Sequence, residues 1–210
     1  MKNPNSYLSN YLKRFNDSLE ALSEESIERS VDELALLRER NGRLFILGLG
    51  GSAANASHAV NDFRKIAYIE AYSPTDNIAE FSARINDNGF ESAMSDWLYG
   101  SRLSSKDICM FFSVGGGDVE LNVSTPLISA LDASNKQGAI SISIVGKQSG
   151  YLQANSSILI HTPINPKLIT PHGESLQALI WHAMVFHPKI QNSKGKWEEL
   201  DSKHSDNGPK

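Results

Sequence analysis

The sequence predicts an α/β fold: an open, mostly parallel sheet in three layers, flanked by helices and preceded by an N-terminal helical extension. Short continuous apolar runs recur along the chain, which is typical of parallel strands buried on both faces. Stretches with apolar residues at helical spacing separate these runs, and such alternation indicates a parallel sheet. Two amphipathic stretches come before the first apolar run, and they form the extension.

The N-terminal residues 1–42 are predicted to form two helices. Apolar residues recur at helical spacing over 6–21 and again over 24–40, and Asn41-Gly42 ends the second helix. These helices could pack on each other, on the later sheet or on a second subunit. We favour a subunit contact, with packing inside the chain as the alternative.

Residues 43–190 form the predicted α/β domain, and residues 191–210 a polar C-terminal tail. From the apolar runs we expect strands at 43–48, 66–72, 107–113, 139–145 and 157–161. From the helical spacing we expect helices at 53–65, from 75 or 76 to 85, and at 90–101, 121–136 and 173–186. Residues 86–89 are predicted to turn, and a proline-rich link precedes the last helix.

The composition is that of an ordinary globular protein. The chain has 210 residues, of which 40% are hydrophobic and 21% charged, and this length suits one domain with a sizeable core. A net charge of -4 gives no general attraction to nucleic acid, and no apolar run approaches the ~20 residues of a membrane span. We therefore expect a cytoplasmic protein with no nucleic-acid or membrane partner. Its single cysteine, Cys109, lies in an apolar run and is expected to be a buried core residue.

Two predicted strand ends turn through glycine, and ligands of open parallel sheets bind at such ends. The first turn is Gly50-Gly51-Ser52, and the second runs from Ser113 through Gly115, Gly116 and Gly117. Backbone N–H groups and a hydroxyl at the start of a helix can hold a phosphate. Neither turn completes a dinucleotide fingerprint, and the P-loop pattern is absent. If the two strands are neighbours, both turns can hold one phosphate; plain tight turns are the alternative.

His58 and Asp62 lie four residues apart on the helix after the first glycine turn, so both project from one face. An imidazole and a carboxylate can act as acid and base or as metal ligands. A phosphate anchor beside such a pair points to an enzyme that acts on a phosphorylated small molecule. The alternatives are a buried core role for His58 and an ion pair of Asp62 with Arg64 or Lys65.

The order and spacing of these motifs resemble the sugar isomerase (SIS) domain and, within it, the sedoheptulose 7-phosphate isomerases, also called phosphoheptose isomerases. The matching segments are Gly50-Gly51-Ser52-Ala53-Ala54, His58, Thr75-Asp76, Asn86-Asp87-Asn88-Gly89-Phe90, Phe112-Ser113 with its glycine loop, Asn122-Val123, and the last helix with His182. The resemblance implies a Rossmann-like SIS fold and a homotetramer. It also implies isomerisation of sedoheptulose 7-phosphate to a heptose 7-phosphate for lipopolysaccharide or capsule synthesis.

The resemblance further implies the residues of the site. Contacts to the sugar or its phosphate fall on Gly51, Ser52, Asp87, Ser113, Gly115, Gly116 and Asp118. A Zn²⁺ ion would be held by His58, Asp62, Glu174 and His182, with His172 as a further candidate ligand. Catalysis falls on Glu174, His182 and Asp62: either carboxylate is the base, and His182 the acid or proton shuttle.

The chain departs from the family pattern at several of these positions. Leu49 stands where the family has asparagine, Asp62 where it has glutamate and Glu174 where it has glutamine. The second loop carries Gly115 and Asp118 in place of serines. These departures leave two alternatives open: a non-catalytic SIS protein that binds a phosphosugar or serves as a scaffold, and an isomerase or epimerase of another sugar phosphate.

Overall fold

A five-stranded parallel sheet forms the centre of the molecule. The computed structural model describes residues 6–205, with side chains up to residue 200. In chain order the strands are β1 (Leu44–Gly48), β2 (Ala71–Tyr72), β3 (Ile108–Ser113), β4 (Ile140–Val145) and β5 (Ile158–His161). Their order across the sheet is β2-β1-β3-β4-β5, and each neighbouring pair is parallel. The predicted α/β class is confirmed.

The helices cover both faces of this sheet. In chain order they are α1 (Tyr7–Glu20), α2 (Glu24–Glu39), α3 (Gly51–Lys65), α4 (Ile78–Asn88), α5 (Ala93–Gly100), α6 (Thr125–Lys136), α7 (Tyr151–Asn155), α8 (Ile169–Val185) and α9 (Lys196–Ser205). Among the described helices, none has the length and apolar character to cross a membrane.

The strand side chains alternate between two hydrophobic cores. Leu44 and Ile46 of β1 pack with α2, α3 and α8 on one face. Phe45 and Leu47 pack with α4, α5 and α6 on the other. Cys109 is fully buried in the second core, and burial raises the pKa of its thiol to about 12. The expectation of an unreactive core cysteine is therefore confirmed.

The two N-terminal helices differ in how they are covered. In α2, Val31, Leu34 and Leu37 are fully buried in the core shared with α3 and α8. In α1, Tyr7 and Leu8 remain exposed. Packing inside the chain therefore accounts for α2 and for Phe15 and Leu19 of α1, which also lie against this core, and the subunit contact stays a prediction.

Several element boundaries differ from the prediction where proline or a left-handed residue intervenes. Strand β2 is confined to Ala71–Tyr72, because Tyr68 has a φ of 55° and breaks the expected extended run. Helices α6 and α8 begin at Thr125 and Ile169, so a proline lies in the first turn of each. Proline is accepted there because the first N–H groups of a helix have no partner to lose.

The segment after β2 is also organised differently from the expectation. A 3-10 turn occupies Pro74–Asp76, and Asn77 rather than Thr75 or Asp76 caps α4. Residues 86–88 complete α4, and Gly89 ends it at a φ of 94°. The short helix α7 and helix α9 in the polar tail were not predicted. Residues 1–5 and 206–210 of the predicted extension and tail lie outside the described residues.

Asp107 joins three segments at the amino end of the sheet. Its carboxylate is 2% exposed and accepts hydrogen bonds from the backbone N–H of Arg43 (2.9 Å), the guanidinium of Arg43 (2.9 Å) and the backbone N–H of Ser104 (2.9 Å). Burial opposes ionisation, but these hydrogen bonds outweigh it and lower the pKa of Asp107. The pair thereby fixes the starts of β1 and β3 beside each other.

We expect Asp107→Asn to reduce the free energy of unfolding at pH 7 by about 2 kcal/mol, because it leaves the partly buried Arg43 without a counter-charge. Since the folded-state pKa of Asp107 lies below the unfolded value, its contribution is present above about pH 4 and is lost as the pH falls through the folded-state pKa. The difference between variant and wild type in urea unfolding should therefore shrink below that pH. Asp17→Asn, which removes an exposed ion pair with Lys13, is the control and should change little.

Candidate active site

His58, Asp62 and His182 meet where α3 packs against α8. The Nε2 atom of His58 lies 3.8 Å from a carboxylate oxygen of Asp62, and the Nε2 atom of His182 lies 3.7 Å from the same oxygen. The side chain of Asp62 is 13% exposed, whereas those of His58 and His182 are 58% and 40% exposed. The nearly buried carboxylate of Asp62 thus faces two imidazoles that are exposed to solvent. His58 is therefore not a buried core residue, and Asp62 faces the two histidines and not Arg64 or Lys65.

The imidazole of His182 is fixed by its helix and by its neighbour. Its Nδ1 atom lies 2.7 Å from the carbonyl oxygen of Ala178, one turn earlier in α8, and this contact assigns the proton to Nδ1. The Nε2 atom lies on the side of the ring that faces Asp62. The ring also stacks on Trp181, with centroids 3.5 Å apart at an interplanar angle of 27°.

The three side chains form a donor set that suits a divalent metal. Their ligand atoms all lie within 4.8 Å of one another. Two imidazole nitrogens and a carboxylate oxygen are common protein ligands of Zn²⁺, and a fourth position would remain open. The hydrogen bond of His182 Nδ1 to a backbone carbonyl is the kind of outer contact that orients a metal-binding histidine. The residues present therefore fit the predicted metal.

Glu174 is placed apart from this group. Its carboxylate lies against the first residue of α3, so that a Cβ added to Gly51 would come within 2.5 Å of it. The side chain of Asn55 donates to the backbone carbonyl of Glu174 (2.9 Å) and to the side-chain oxygen of Gln177 (3.1 Å), which joins α3 to α8. The structure thus brings together three of the four predicted ligands, with Glu174 at the positive end of α3.

The two glycine turns share one edge of the sheet. Strand β1 pairs with β3 in register up to Gly48 and Phe112, so the turns that follow them are neighbours, as the shared-phosphate hypothesis requires. In the second turn the hydroxyl of Ser113 accepts a hydrogen bond from the backbone N–H of Gly116 (2.9 Å). A Cβ on Gly115 would meet no atom within 4 Å, so there is open space beside this loop.

Other predicted residues have local roles. The carboxylate of Asp118 accepts a hydrogen bond from the backbone N–H of Leu121 (3.0 Å), within a loop closed by a bridge to Val123. Asp87 is exposed on the last turn of α4, where it accepts a hydrogen bond from Asn86 (2.8 Å). Ser52 is buried in the first turn of α3.

His172 faces α1 and lies outside the cluster of His58, Asp62 and His182. Its ring makes edge contacts with Tyr11 (4.4 Å between centroids) and Phe15 (5.3 Å). Burial, with a smaller contribution from Arg14, lowers its pKa. It therefore does not join the three ligands and packs against α1 instead.

Sequence reasoning missed three residues that shape the site: Asn55, Gln177 and Trp181. Asn55 lies three residues before His58 and Gln177 three residues after Glu174, so helical spacing alone places them near the predicted pairs. Trp181 precedes His182 in an apolar stretch and carries no sequence signal that separates it from the core.

Comparisons with known proteins agree with this architecture. The chain matches no protein-family model. The lincomycin biosynthesis protein LmbN of Streptomyces lincolnensis is 29% identical over 154 residues, which cover 68% of this chain and 54% of LmbN. The chain therefore spans about half the length of that relative. A phosphoheptose isomerase of Aneurinibacillus thermoaerophilus is 23% identical over 205 residues, which cover 90% of this chain and 100% of the relative.

The structure of a phosphoheptose isomerase from Neisseria gonorrhoeae superposes with a TM-score of 0.74 at 20% identity, over 85% of this chain and 93% of that one. The chain is thus similar to phosphoheptose isomerases in sequence and in fold. The predicted SIS fold, with its parallel sheet between helices, is thereby confirmed. At 20% identity, this structural similarity is evidence for the SIS fold and not for an activity.

The first glycine turn gives a test of whether the Glu174 side chain can move away from the start of α3. In Gly51→Ala the new methyl group meets the end of a flexible side chain, which can move aside, so we expect a loss of at most about 1 kcal/mol in unfolding free energy. In Gly48→Ala it meets the backbone of Ser52 at 2.4 Å, and we expect a loss of about 2 kcal/mol or more. Urea unfolding of both variants measures the difference. Equal losses would contradict the expectation that the Glu174 side chain can move aside.

Proposed function

We propose that this SIS-domain protein is an aldose–ketose isomerase that acts on a phosphorylated heptose, with sedoheptulose 7-phosphate as the ketose. The observation that carries the proposal is the meeting of His58, Asp62 and His182 beside two glycine turns at one edge of the sheet. Isomerisation of a phosphosugar requires both kinds of group, one that holds the phosphate and one that acts at the sugar carbonyl. Use of the product in lipopolysaccharide or capsule synthesis belongs to the same proposal, as does a cytoplasmic location.

The phosphate is assigned to the second glycine turn. The start of α3 already holds the carboxylate of Glu174, and a second anion there would be repelled. The loop from Ser113 to Gly117 has backbone N–H groups, a hydroxyl and open space at Gly115. The carboxylate of Asp118 is turned toward the N–H of Leu121, which reduces its conflict with a phosphate.

A divalent metal, Zn²⁺ by the chemistry of the ligands, would be held by His58, Asp62 and His182. It would polarise the carbonyl of the sugar and stabilise negative charge on its oxygen. In this assignment Nδ1 of His182 bonds Ala178 and Nε2 binds the metal, so His182 has no nitrogen left to move a proton. The ligand role and the acid role of His182 therefore exclude each other, and we propose the ligand role.

Glu174 is then the base. Asp62 is 13% exposed and faces two imidazoles, whereas Glu174 is half-buried and outside the ligand group. Isomerisation of a ketose needs a base that takes a proton from C1 and returns it to C2, while the hydroxyl proton moves between O1 and O2. The hydrogen bond from Asn55 fixes the backbone of Glu174, and its carboxylate lies at the start of α3, where one group can carry out both transfers.

A homotetramer is part of the proposal. The exposed apolar side chains Tyr7, Leu8 and Leu12 of α1 support an assembly through this helix.

A non-catalytic sugar-phosphate-binding protein is the second candidate. Leu49, which stands where the family has an asparagine, packs against the apolar core on the α5 and α6 side. One polar contact to the sugar is thereby missing, which favours either a changed substrate or binding without turnover.

The activity test is solvent exchange. We expect the Zn²⁺-loaded protein, incubated with sedoheptulose 7-phosphate in D₂O, to incorporate deuterium at C1 and C2, followed by NMR together with formation of the aldose. Glu174→Gln should lower the exchange rate by about 10²-fold or more, because it removes the base and keeps the size of the side chain. The control Glu199→Gln, on α9, should exchange at the wild-type rate. Binding of the sugar phosphate without exchange would support the binding protein instead.

The metal assignment is tested separately from turnover. We expect Asp62→Asn and His182→Ala each to weaken Zn²⁺ binding by about 10²-fold, and Glu174→Gln to leave it within about threefold. Competition with a chromophoric chelator measures these affinities. Weakening by Glu174→Gln as strong as that by Asp62→Asn would instead make Glu174 a ligand.

A further inference from the structure

The ring of Trp181 contacts both histidines of the cluster. Its ring stacks on His182 with centroids 3.5 Å apart, and it meets the ring of His58 at 4.8 Å and 68°. The two imidazoles themselves stand 5.3 Å apart at 85°. The indole of Trp181 therefore contacts both proposed nitrogen ligands: His182 stacks on its face, and the ring of His58 is tilted against it.

His58 has little else to orient it. In the described part of the chain, its polar neighbour is Asp62 at 3.8 Å, beyond hydrogen-bond distance, and the side chain is 58% exposed. His182 has a second constraint, the contact of its Nδ1 with Ala178. The ring of Trp181 is thus the contact that His58 depends on most.

The indole N–H of Trp181 is buried without a partner among the described residues. Leaving a buried donor unpaired is destabilising, and a leucine would avoid this cost while remaining apolar. The ring contacts with both histidines give a reason for an aromatic residue at this position that packing alone does not give.

We propose that Trp181 is a positioning residue, whose ring holds the imidazoles of His58 and His182 so that both Nε2 atoms face Asp62 before a metal arrives. The inference rests on the proposed metal site. Preorganised ligands lose less rotamer freedom on binding, so the metal binds more tightly to a site with both rings fixed.

A simple core role for Trp181 predicts a different outcome. Trp181 belongs to the hydrophobic core with Ile180 and Met184, so any truncation will lower stability. The readouts must therefore be ones that stability alone does not move. Trp97 provides the matched control, because it is a buried tryptophan in the core on the other side of the sheet.

The experiment measures Zn²⁺ affinity by chelator competition and the visible spectrum of the Co²⁺-loaded full-length protein. We expect Trp181→Leu to weaken Zn²⁺ binding by about 10- to 100-fold and to alter the Co²⁺ bands, as removal of outer contacts does at metal sites. Trp181→Phe, which keeps an aromatic face, should stay within about threefold of wild type. Trp97→Leu should keep the wild-type affinity and spectrum while it lowers the unfolding midpoint.

A second measurement keeps the indole in place and does not depend on how a Trp181 variant folds. The chain has three tryptophans, so the double variant Trp97→Phe/Trp197→Phe retains Trp181 alone. We expect one equivalent of Co²⁺ to quench most of its fluorescence, because the indole contacts both ligands, and EDTA to restore it.

The outcomes distinguish failure of the proposed metal site from failure of the proposed role of Trp181. If the wild-type protein binds no Zn²⁺, the metal part of the proposed function fails, and this inference fails with it. If wild type binds Zn²⁺ but Trp181→Leu binds it equally well, or Trp97→Leu weakens it as much, only the role of Trp181 is overturned. Co²⁺ that binds without quenching Trp181 would overturn it as well.

Discussion

The packing of α3 on α8 is the constraint on which the candidate site depends. Each helix supplies one histidine, Asp62 comes from α3, and Trp181 of α8 lies against both rings. The side chain of Asn55 bonds α8 at two points, which sets how far the helices can slide along each other. A shift of one turn, about 5.4 Å, would separate the histidines from their shared carboxylate.

The sheet determines where this helix pair can act. Because β1 and β3 are neighbours, the start of α3 and the loop after β3 meet at the same edge. Glu174 occupies the first of these positions, so the two glycine turns are not equivalent. One holds a carboxylate of the protein, and the other has open space beside Gly115.

The parts predicted best from the sequence are those governed by local periodicity. The apolar run of β3 is buried on both faces, and its predicted range differs from Ile108–Ser113 by one residue. His58 and Asp62 were paired from helical spacing alone, and they do face each other. Helices α6 and α8 were misplaced at their starts, because a proline is equally compatible with the first turn of a helix and with the link before it.

Local periodicity does not predict contacts between segments that are distant along the chain. His182 entered the site through a resemblance, because no local pattern joins it to a helix more than a hundred residues earlier. The Glu174 carboxylate can lie at the start of α3 because Gly51 has no side chain. The proposed role of Trp181 depends on ring contacts, and in the sequence Trp181 is indistinguishable from a core residue. Five-residue α7 is too short for periodicity to reveal.

The division of the site between α3 and α8 has a consequence for the order in which the protein matures. Helix α3 leaves the ribosome long before α8, so a nascent chain carries His58 and Asp62 without His182. Two ligands bind a metal more weakly than three, and the complete site appears only when α8 docks. A bound ion would then stabilise the docked state of α8 by mass action and suppress its local opening, so that amide hydrogen exchange in this helix becomes slower in the loaded protein.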